Sequence, residues 1–215
     1  DENQNYEISN ELKNFCSKQL GGIQNRFTIP FLTVNEVKSL ILQMKNTKSC
    51  GLDKISTNAL KWSIPCIAEP LTYIYNKCIE NNVFPDVLKI AKVIPIPKCK
   101  NQDDINNFRP ISIPSVLSKP LEKHVYRHAI KFLEKYELLL ESQSGFRENR
   151  SCHTALTDIV DDLLESINKR KINGCLFIDF SKAFDLVDHN ILSKKLSVYG
   201  FDSKTVEFFK SYLSN

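Results

Sequence analysis

The run Gly174-Cys-Leu-Phe-Ile-Asp-Phe-Ser-Lys-Ala-Phe-Asp185 constrains the fold more than any other stretch, because a short apolar segment ends in a carboxylate. Leu176, Phe177 and Ile178 read as a strand buried on both faces, with Gly174 supplying a turn just ahead of it. Asp179 then sits at the strand's mouth. An isolated carboxylate there costs several kcal/mol to desolvate, so it needs partners. A divalent cation is the usual one where phosphates are handled. The plainer reading is an Asp that caps the following turn.

The elements that would cover such a strand are mostly helical. Thr33-Val-Asn-Glu36 is a capping box, and Val37, Leu40, Ile41 and Met44 continue it as a helical stripe. Further helices are expected over 57–62, 67–80, 115–135, 190–198 and 203–213, with Asn81, Asn82 and Pro85 closing the second of these. Another, over 151–170, carries Leu156, Ile159, Val160, Leu163 and Ile167 on one stripe. Ile90-Ala-Lys-Val-Ile-Pro-Ile-Pro-Lys98 interleaves β-branched residues with prolines, which cannot donate to a central ladder and so belong at a sheet edge. With Arg109-Pro-Ile-Ser-Ile113 after a polar stretch, a hairpin is the economical reading. Helices outnumber strands, which gives an α+β class. Residues 1–32, polar and without a sustained period, read as a linker or the edge of a preceding region.

Charge distribution says more than its total. The net charge is only +4, but Lys89 to Lys131 holds nine basic residues (Lys89, Lys92, Lys98, Lys100, Arg109, Lys119, Lys123, Arg127, Lys131) against Asp103, Asp104 and Glu122. A hairpin bearing Lys92, Lys98, Lys100 and Arg109 places cations on a projecting flap, and the planar fork of Arg grips phosphate oxygens bidentately. An ordinary solvated hairpin is the competing reading. Arg147 and Arg150 directly precede the helix that starts near Ser151, where free N–H groups favour an anion such as a nucleic-acid backbone. Capping by Ser151, with Gly145 as a turn residue, is the simpler alternative.

Several classes are excluded or left unsupported. The seven cysteines contain no Cys-x-x-Cys pair, so neither a zinc knuckle nor a disulfide framework is indicated and a reducing compartment fits. His124 and His128 lie four apart without a metalloprotease pattern and read as the solvated face of a basic helix. A Walker B strand also ends in Asp, but no Gly-x-x-x-x-Gly-Lys-Ser/Thr loop occurs. An aspartyl phosphatase using Asp179 as nucleophile is chemically conceivable. No apolar run reaches the roughly twenty residues of a membrane span. No membrane partner is therefore expected, and the chain reads as intracellular, in cytoplasm and nucleus. It starts without Met and stops inside a helical pattern, as an excerpt of a longer polypeptide would.

Taken in order, the motifs go beyond general physics. They are Lys48-Ser-x-Gly-Leu-Asp-x-Ile, Val93-Ile-Pro-Ile-Pro-Lys98, Asn107-Phe-Arg-Pro-Ile-Ser-Ile113, Leu117-Ser-Lys-Pro-Leu-Glu-Lys123, Gln143-Ser-Gly-Phe-Arg147, and Phe177-Ile-Asp-Phe-Ser-Lys-Ala-Phe-Asp-x-Val-Asp-His189. From about Val34 onward the chain resembles the reverse transcriptase domain of non-long-terminal-repeat (LINE-like) retrotransposons. The resemblance implies the fingers (33–172) and the start of the palm (173–215) of a right-hand polymerase, helix-rich with an edge β-hairpin and a palm strand. The activity it implies is RNA-directed DNA synthesis by two-metal nucleotidyl transfer.

The same resemblance implies residue roles. Asp179 looks like the first catalytic carboxylate, holding Mg2+ (two ions in the complete site) with the backbone carbonyl of Phe180. Phe184 matches the aromatic gate that would collide with a ribose 2′-hydroxyl. Arg109 and Lys98 would clamp the triphosphate, while Gly145, Phe146, Arg147 and Arg150 would lie near the template. The implied partners are an RNA template, a DNA primer, deoxynucleoside triphosphates, and the remaining palm and thumb of the same polypeptide. The family's other carboxylates sit in an aromatic-x-Asp-Asp turn, and none follows Asp179; Asp103-Asp104 and Asp161-Asp162 lie upstream. One strand-end Asp cannot hold two cations roughly 4 Å apart, so the 215-residue chain alone is not expected to polymerise. A catalytically dead nucleic-acid-binding module derived from such an enzyme is the alternative.

Overall fold

The computed structural model describes residues 7–21, 26–98 and 105–214. Lys100, placed above on the hairpin, and Asp103 and Asp104, counted above among its neighbouring charges, lie outside the described residues. The capping box at Thr33 forms as expected: Thr33 Oγ1 accepts from the Glu36 N–H, and the Glu36 carboxylate accepts from the Thr33 N–H at 2.7 Å. It starts helix α2 (Val34–Leu42), which follows helix α1 (Asn10–Leu20). Next come α3 (Thr57–Trp62), α4 (Ile64–Glu80) and the single turn α5 (Asp86–Lys89). Beyond the hairpin lie α6 (Ser118–Lys135), α7 (Cys152–Asn168), α8 (His189–Val198) and α9 (Ser203–Leu213).

The core forms where the apolar stripes of α2, α4, α6 and α9 converge. Val37 and Ile41 from α2, Tyr75 from α4 and Leu121 from α6 are completely or almost completely buried, joined by Phe84, Val206 and Phe208. The Tyr75 hydroxyl donates to the Leu117 carbonyl at 2.6 Å, which satisfies a polar atom the packing would otherwise strand. Burial holds that phenol far above its ordinary pKa.

The stretch read as a linker contributes directly to this core. It contains α1, and Phe27, Ile29 and Leu32 are buried. Phe27 pairs with the turn between α8 and α9: its N–H donates to the Gly200 carbonyl at 2.8 Å, and its carbonyl accepts from the Asp202 N–H at 3.0 Å. Its ring packs edge-on against Phe201, with 4.8 Å between centroids, and Phe132 of α6 lies against both. Two short segments lying far apart in sequence thus close the core together.

The expected hairpin is present. Strand β1 (Ala91–Pro97) pairs antiparallel with β2 (Phe108–Pro114), with Ile96 opposite Arg109 and Pro95 opposite Pro110. The Lys98 N–H donates to the Asn107 carbonyl at 2.7 Å. This makes Ile96–Arg109, Ile94–Ile111 and Lys92–Ile113 the hydrogen-bonded pairs. The prolines at 95, 97, 110 and 114 therefore occupy the alternate positions, where an N–H would point away from the ladder and its loss costs no internal bond. Both faces of the ribbon are largely exposed.

The palm strand expected over 175–178 is not formed. Residues 171–180 have no regular structure, and Leu176, Phe177 and Ile178 are 85%, 87% and 71% exposed. A strand exists only through a paired ladder, and among the described residues β1 and β2 are the only strands, bonded to each other. Nor does α7 cover the segment. Its stripe of Leu156, Ile159, Val160, Leu163 and Ile167 forms on one side as expected, yet the helix buries no residue. The α+β class stands as a helix-rich body with one small antiparallel sheet. Among the described residues no helix is long and apolar enough to cross a membrane.

Candidate functional site

The Lys48-Ser-x-Gly-Leu-Asp motif anchors the base of the hairpin. Asp53 accepts from the Ser115 hydroxyl at 2.5 Å, just past the end of β2, and its other oxygen accepts from the Ile55 N–H at 3.0 Å. Gly51 lies against the same place. A Cβ there would stand 3.1 Å from the Pro114 carbonyl carbon, the Pro114 oxygen and the Ser115 Cα, so any side chain would push the two backbones apart by a few tenths of an ångström. The hairpin above this clasp carries Arg109 and Lys98, both exposed. With Lys92 they occupy one face of the ribbon, because Arg109 pairs with Ile96 and positions 92, 96 and 98 alternate along β1.

The loop carrying Gly145, Phe146, Arg147 and Arg150 is held by α6. The Tyr126 hydroxyl donates to the Phe146 carbonyl at 3.3 Å, and Arg147 donates through Nη1 to the Leu140 carbonyl at 3.2 Å. Glu134 lies 3.9 Å from Arg147 Nε, while Arg150 sits 3.8 Å from Asp158 of α7. Both arginines thus face carboxylates of their own chain, beside a cleft that Glu137 and Glu141 also line. Phe146 has φ 60°, in the left-handed region that few bulky residues adopt. Ser151 caps α7 and exchanges hydrogen bonds with Thr154. Tyr126 and Glu134 escaped the sequence reading; their spacing of eight on one side of α6 was the available signal.

Asp179 is exposed and irregular in backbone, with Phe180 76% exposed beside it. Among the described residues it has no hydrogen-bond or ion-pair partner, and no group of three ligating side chains includes it. The described residues alone do not make a metal site around this carboxylate. Phe184, also 76% exposed, meets the template loop: its ring lies 5.8 Å from that of Phe146, at 90°. This edge-to-face contact joins two motifs separated by the whole of α7. Asp188, at the end of the same motif, caps α8 by accepting from the Asn190 and Ile191 N–H groups. Site residues from the hairpin, the loop and the Asp179 segment are thus all exposed or half-buried, and of these Phe146 and Phe184 touch.

The pair His124 and His128 departs from the solvated face expected of it. His124 is 3% exposed, and its Nε2 lies 2.8 Å from the Pro30 carbonyl. The reason is long-range: Pro30 belongs to the buried stretch that docks against α6 from 94 positions away. Burial pushes the His124 pKa below its ordinary value. The backbone and side-chain hydrogen bonds from Thr33 hold the nearby Glu36 carboxyl below the usual carboxylate range.

Comparison with known proteins gives the same family that the motifs resemble. The family model described as "Reverse transcriptase (RNA-dependent DNA polymerase)" matches residues 96–215. A Drosophila melanogaster protein named "Probable RNA-directed DNA polymerase from transposon BS" is 28% identical over 195 residues, covering 90% of this chain and 21% of its own length. A Drosophila funebris "RNA-directed DNA polymerase from mobile element jockey" is 28% identical over 159 residues, covering 74% and 17%. The Drosophila melanogaster "Probable RNA-directed DNA polymerase from transposon X-element" is 27% identical over 162 residues, covering 75% and 18%. The chain spans about a fifth of the length of these curated relatives.

Proposed function

Because this chain belongs to the reverse transcriptase (RNA-dependent DNA polymerase) family, we propose that it supplies the nucleotide- and template-facing part of an RNA-directed DNA polymerase of a non-long-terminal-repeat retrotransposon. The observation that supports the reading is the single family match over residues 96–215, which takes in Arg109, Gly145–Arg147, Asp179 and Phe184 in one continuous stretch. In this reading 33–172 serves as fingers and 173–215 begins the palm.

Arg109 and Lys98 would meet the triphosphate from the exposed face of the hairpin, where a guanidinium can pair bidentately with phosphate oxygens. Phe184 would sit beneath the incoming sugar and select deoxynucleotides, with Phe146 buttressing its ring. Arg147 and Arg150 would exchange Glu134 and Asp158 for the template backbone, an exchange that weakens as salt rises. Asp179 would contribute a carboxylate, and Phe180 its carbonyl, toward Mg2+; that ion supplies charge neutralisation at phosphorus when bound. Further ligands, the remaining palm and the thumb would come from elsewhere in the polypeptide.

The test is RNA-templated primer extension. A polypeptide of the relatives' length should extend a DNA primer, and Asp179→Ala should abolish synthesis while leaving binding of the template–primer duplex within about twofold, since an exposed side chain with no partner carries no structure. Loss of binding together with synthesis would remove the proposed role of Asp179. The 215-residue chain itself should bind the duplex without extending it. Extension by this chain alone would overturn the reading that its carboxylate needs partners from elsewhere.

A further inference from the structure

Helices α2 and α6 bring together a second constellation, made of side chains that none of the proposed polymerase roles uses. Glu36 of α2 and His124 and His128 of α6 each offer a ligand atom, and the three atoms lie within 4.8 Å of one another. The histidines sit one helical turn apart with ring centroids 4.5 Å from each other. From these groups we infer a zinc site that clamps α2 onto α6, independent of the reading of Asp179.

Three features favour an ion over a simple polar contact. No ion pair joins Glu36 to either ring among the described residues, so the carboxylate faces two imidazoles across a gap too wide for a direct bond. A tetrahedral ion with bonds of about 2.0–2.2 Å holds its ligands about 3.3–3.5 Å apart, so a small swing of the exposed Glu36 and half-buried His128 side chains closes the set. Only one oxygen of Glu36 is engaged: its Oε2 accepts from the Thr33 N–H and hydroxyl, both at 2.7 Å, and among the described residues Oε1 has no hydrogen-bond partner.

The orientation of His124 points the same way. A carbonyl can only accept, so the 2.8 Å contact to Pro30 means that Nε2 carries the proton and donates, leaving Nδ1 with the free lone pair. Donation of the second ring N–H to a backbone carbonyl is the arrangement that fixes and strengthens metal-binding histidines. Two imidazoles and one carboxylate suit zinc and its neighbours in the transition series. They do not suit magnesium, which takes oxygen ligands and keeps its water. A water would complete the four ligands such an ion takes. Arg127, next to His128 in sequence, donates to Gln43 through a 2.7 Å hydrogen bond.

The test uses the metal-stripped 215-residue chain, titrated with zinc chloride and, separately, magnesium chloride. Zinc a hundredfold above its dissociation constant should raise the melting temperature by about 5–10 °C, and magnesium should not. Glu36→Gln keeps the capping box, because Gln still accepts from Thr33, and His128→Ala removes a half-buried ring; both should fold and lose the zinc shift. Cobalt substituted for zinc should give tetrahedral visible bands without a thiolate-to-metal charge-transfer band. No zinc shift in the unmodified chain, a shift that survives in both variants, or a thiolate band placing the metal on cysteines would each overturn the site.

Discussion

Replacing Gly51 by Ala tests whether the Gly-Leu-Asp motif is a mechanical seat for the hairpin. The added Cβ would meet three backbone atoms at 3.1 Å, where ordinary contact begins near 3.4 Å, and none of the three can rotate aside as a side-chain tip would. Either the 48–53 loop or the end of β2 must shift by a few tenths of an ångström. Such overpacking typically costs about 1–3 kcal/mol. Loss of unfolded-state freedom returns about 0.4–1 kcal/mol, since Gly51 does not occupy the left-handed region. The net destabilisation is about 0.5–2 kcal/mol, or roughly 1–8 °C in melting temperature for a chain of this size. Gly145→Ala is the matched control: nothing lies within 4 Å of its Cβ position, so the same chemical change should be neutral or slightly stabilising. Thermal unfolding followed by circular dichroism measures the difference, and amide exchange locates it; β1 and β2 amides should exchange faster in Gly51→Ala alone. Equal melting temperatures for the two variants, or hairpin protection unchanged in Gly51→Ala, would refute the seat.

Tyr75→Phe removes the donor to the Leu117 carbonyl in a fully buried setting, and should cost about 1–2 kcal/mol in urea unfolding without changing the slope. Phe201→Ala empties the centre of the cluster it makes with Phe27, Phe132 and Phe209; a loss of about 3–5 kcal/mol is expected, read as a large drop in melting temperature. Asp179→Ala should alter stability by less than about 0.5 kcal/mol, so a melting curve that moves substantially would show the carboxylate to be structural.

Elements governed by local chemistry were legible in the sequence. The capping box at Thr33, the Ser151 cap and the asparagines after α4 announce helix ends through groups only a few residues apart. The hairpin was legible for a related reason, since the prolines at 95, 97, 110 and 114 are spaced by even steps along each strand and so fit the positions whose N–H points away from the ladder. Features that depend on distant partners were not. An apolar run such as 175–178 has the composition of a strand, but its conformation is decided by whether a neighbouring ladder is present. Phe27, Ile29 and Leu32 form too short a pattern to stand out, and their partners are distant: Phe132 and Phe201 for Phe27, Thr205 for Ile29 and Asn76 for Leu32. His124 was misjudged for the same cause, because its partner carbonyl belongs to that stretch. Within the site, the motifs gave the residue identities, while the meeting of Phe146 with Phe184 and the pairing of Arg147 with Glu134 required the fold.

The docking of residues 27–29 onto the turn between α8 and α9 sets a timetable for synthesis. The Thr28 hydroxyl donates to Asp202 across 174 positions of chain, and at about 5–20 residues per second a ribosome takes roughly 9–35 s to deliver that acceptor. During that interval α2, α4 and α6 are delivered in turn and can assemble with one another, but Phe27, and Phe132 once it is made, lack the ring that packs against both. The nascent chain therefore carries its own vulnerable window, which ends only when Phe201 emerges and drops into place.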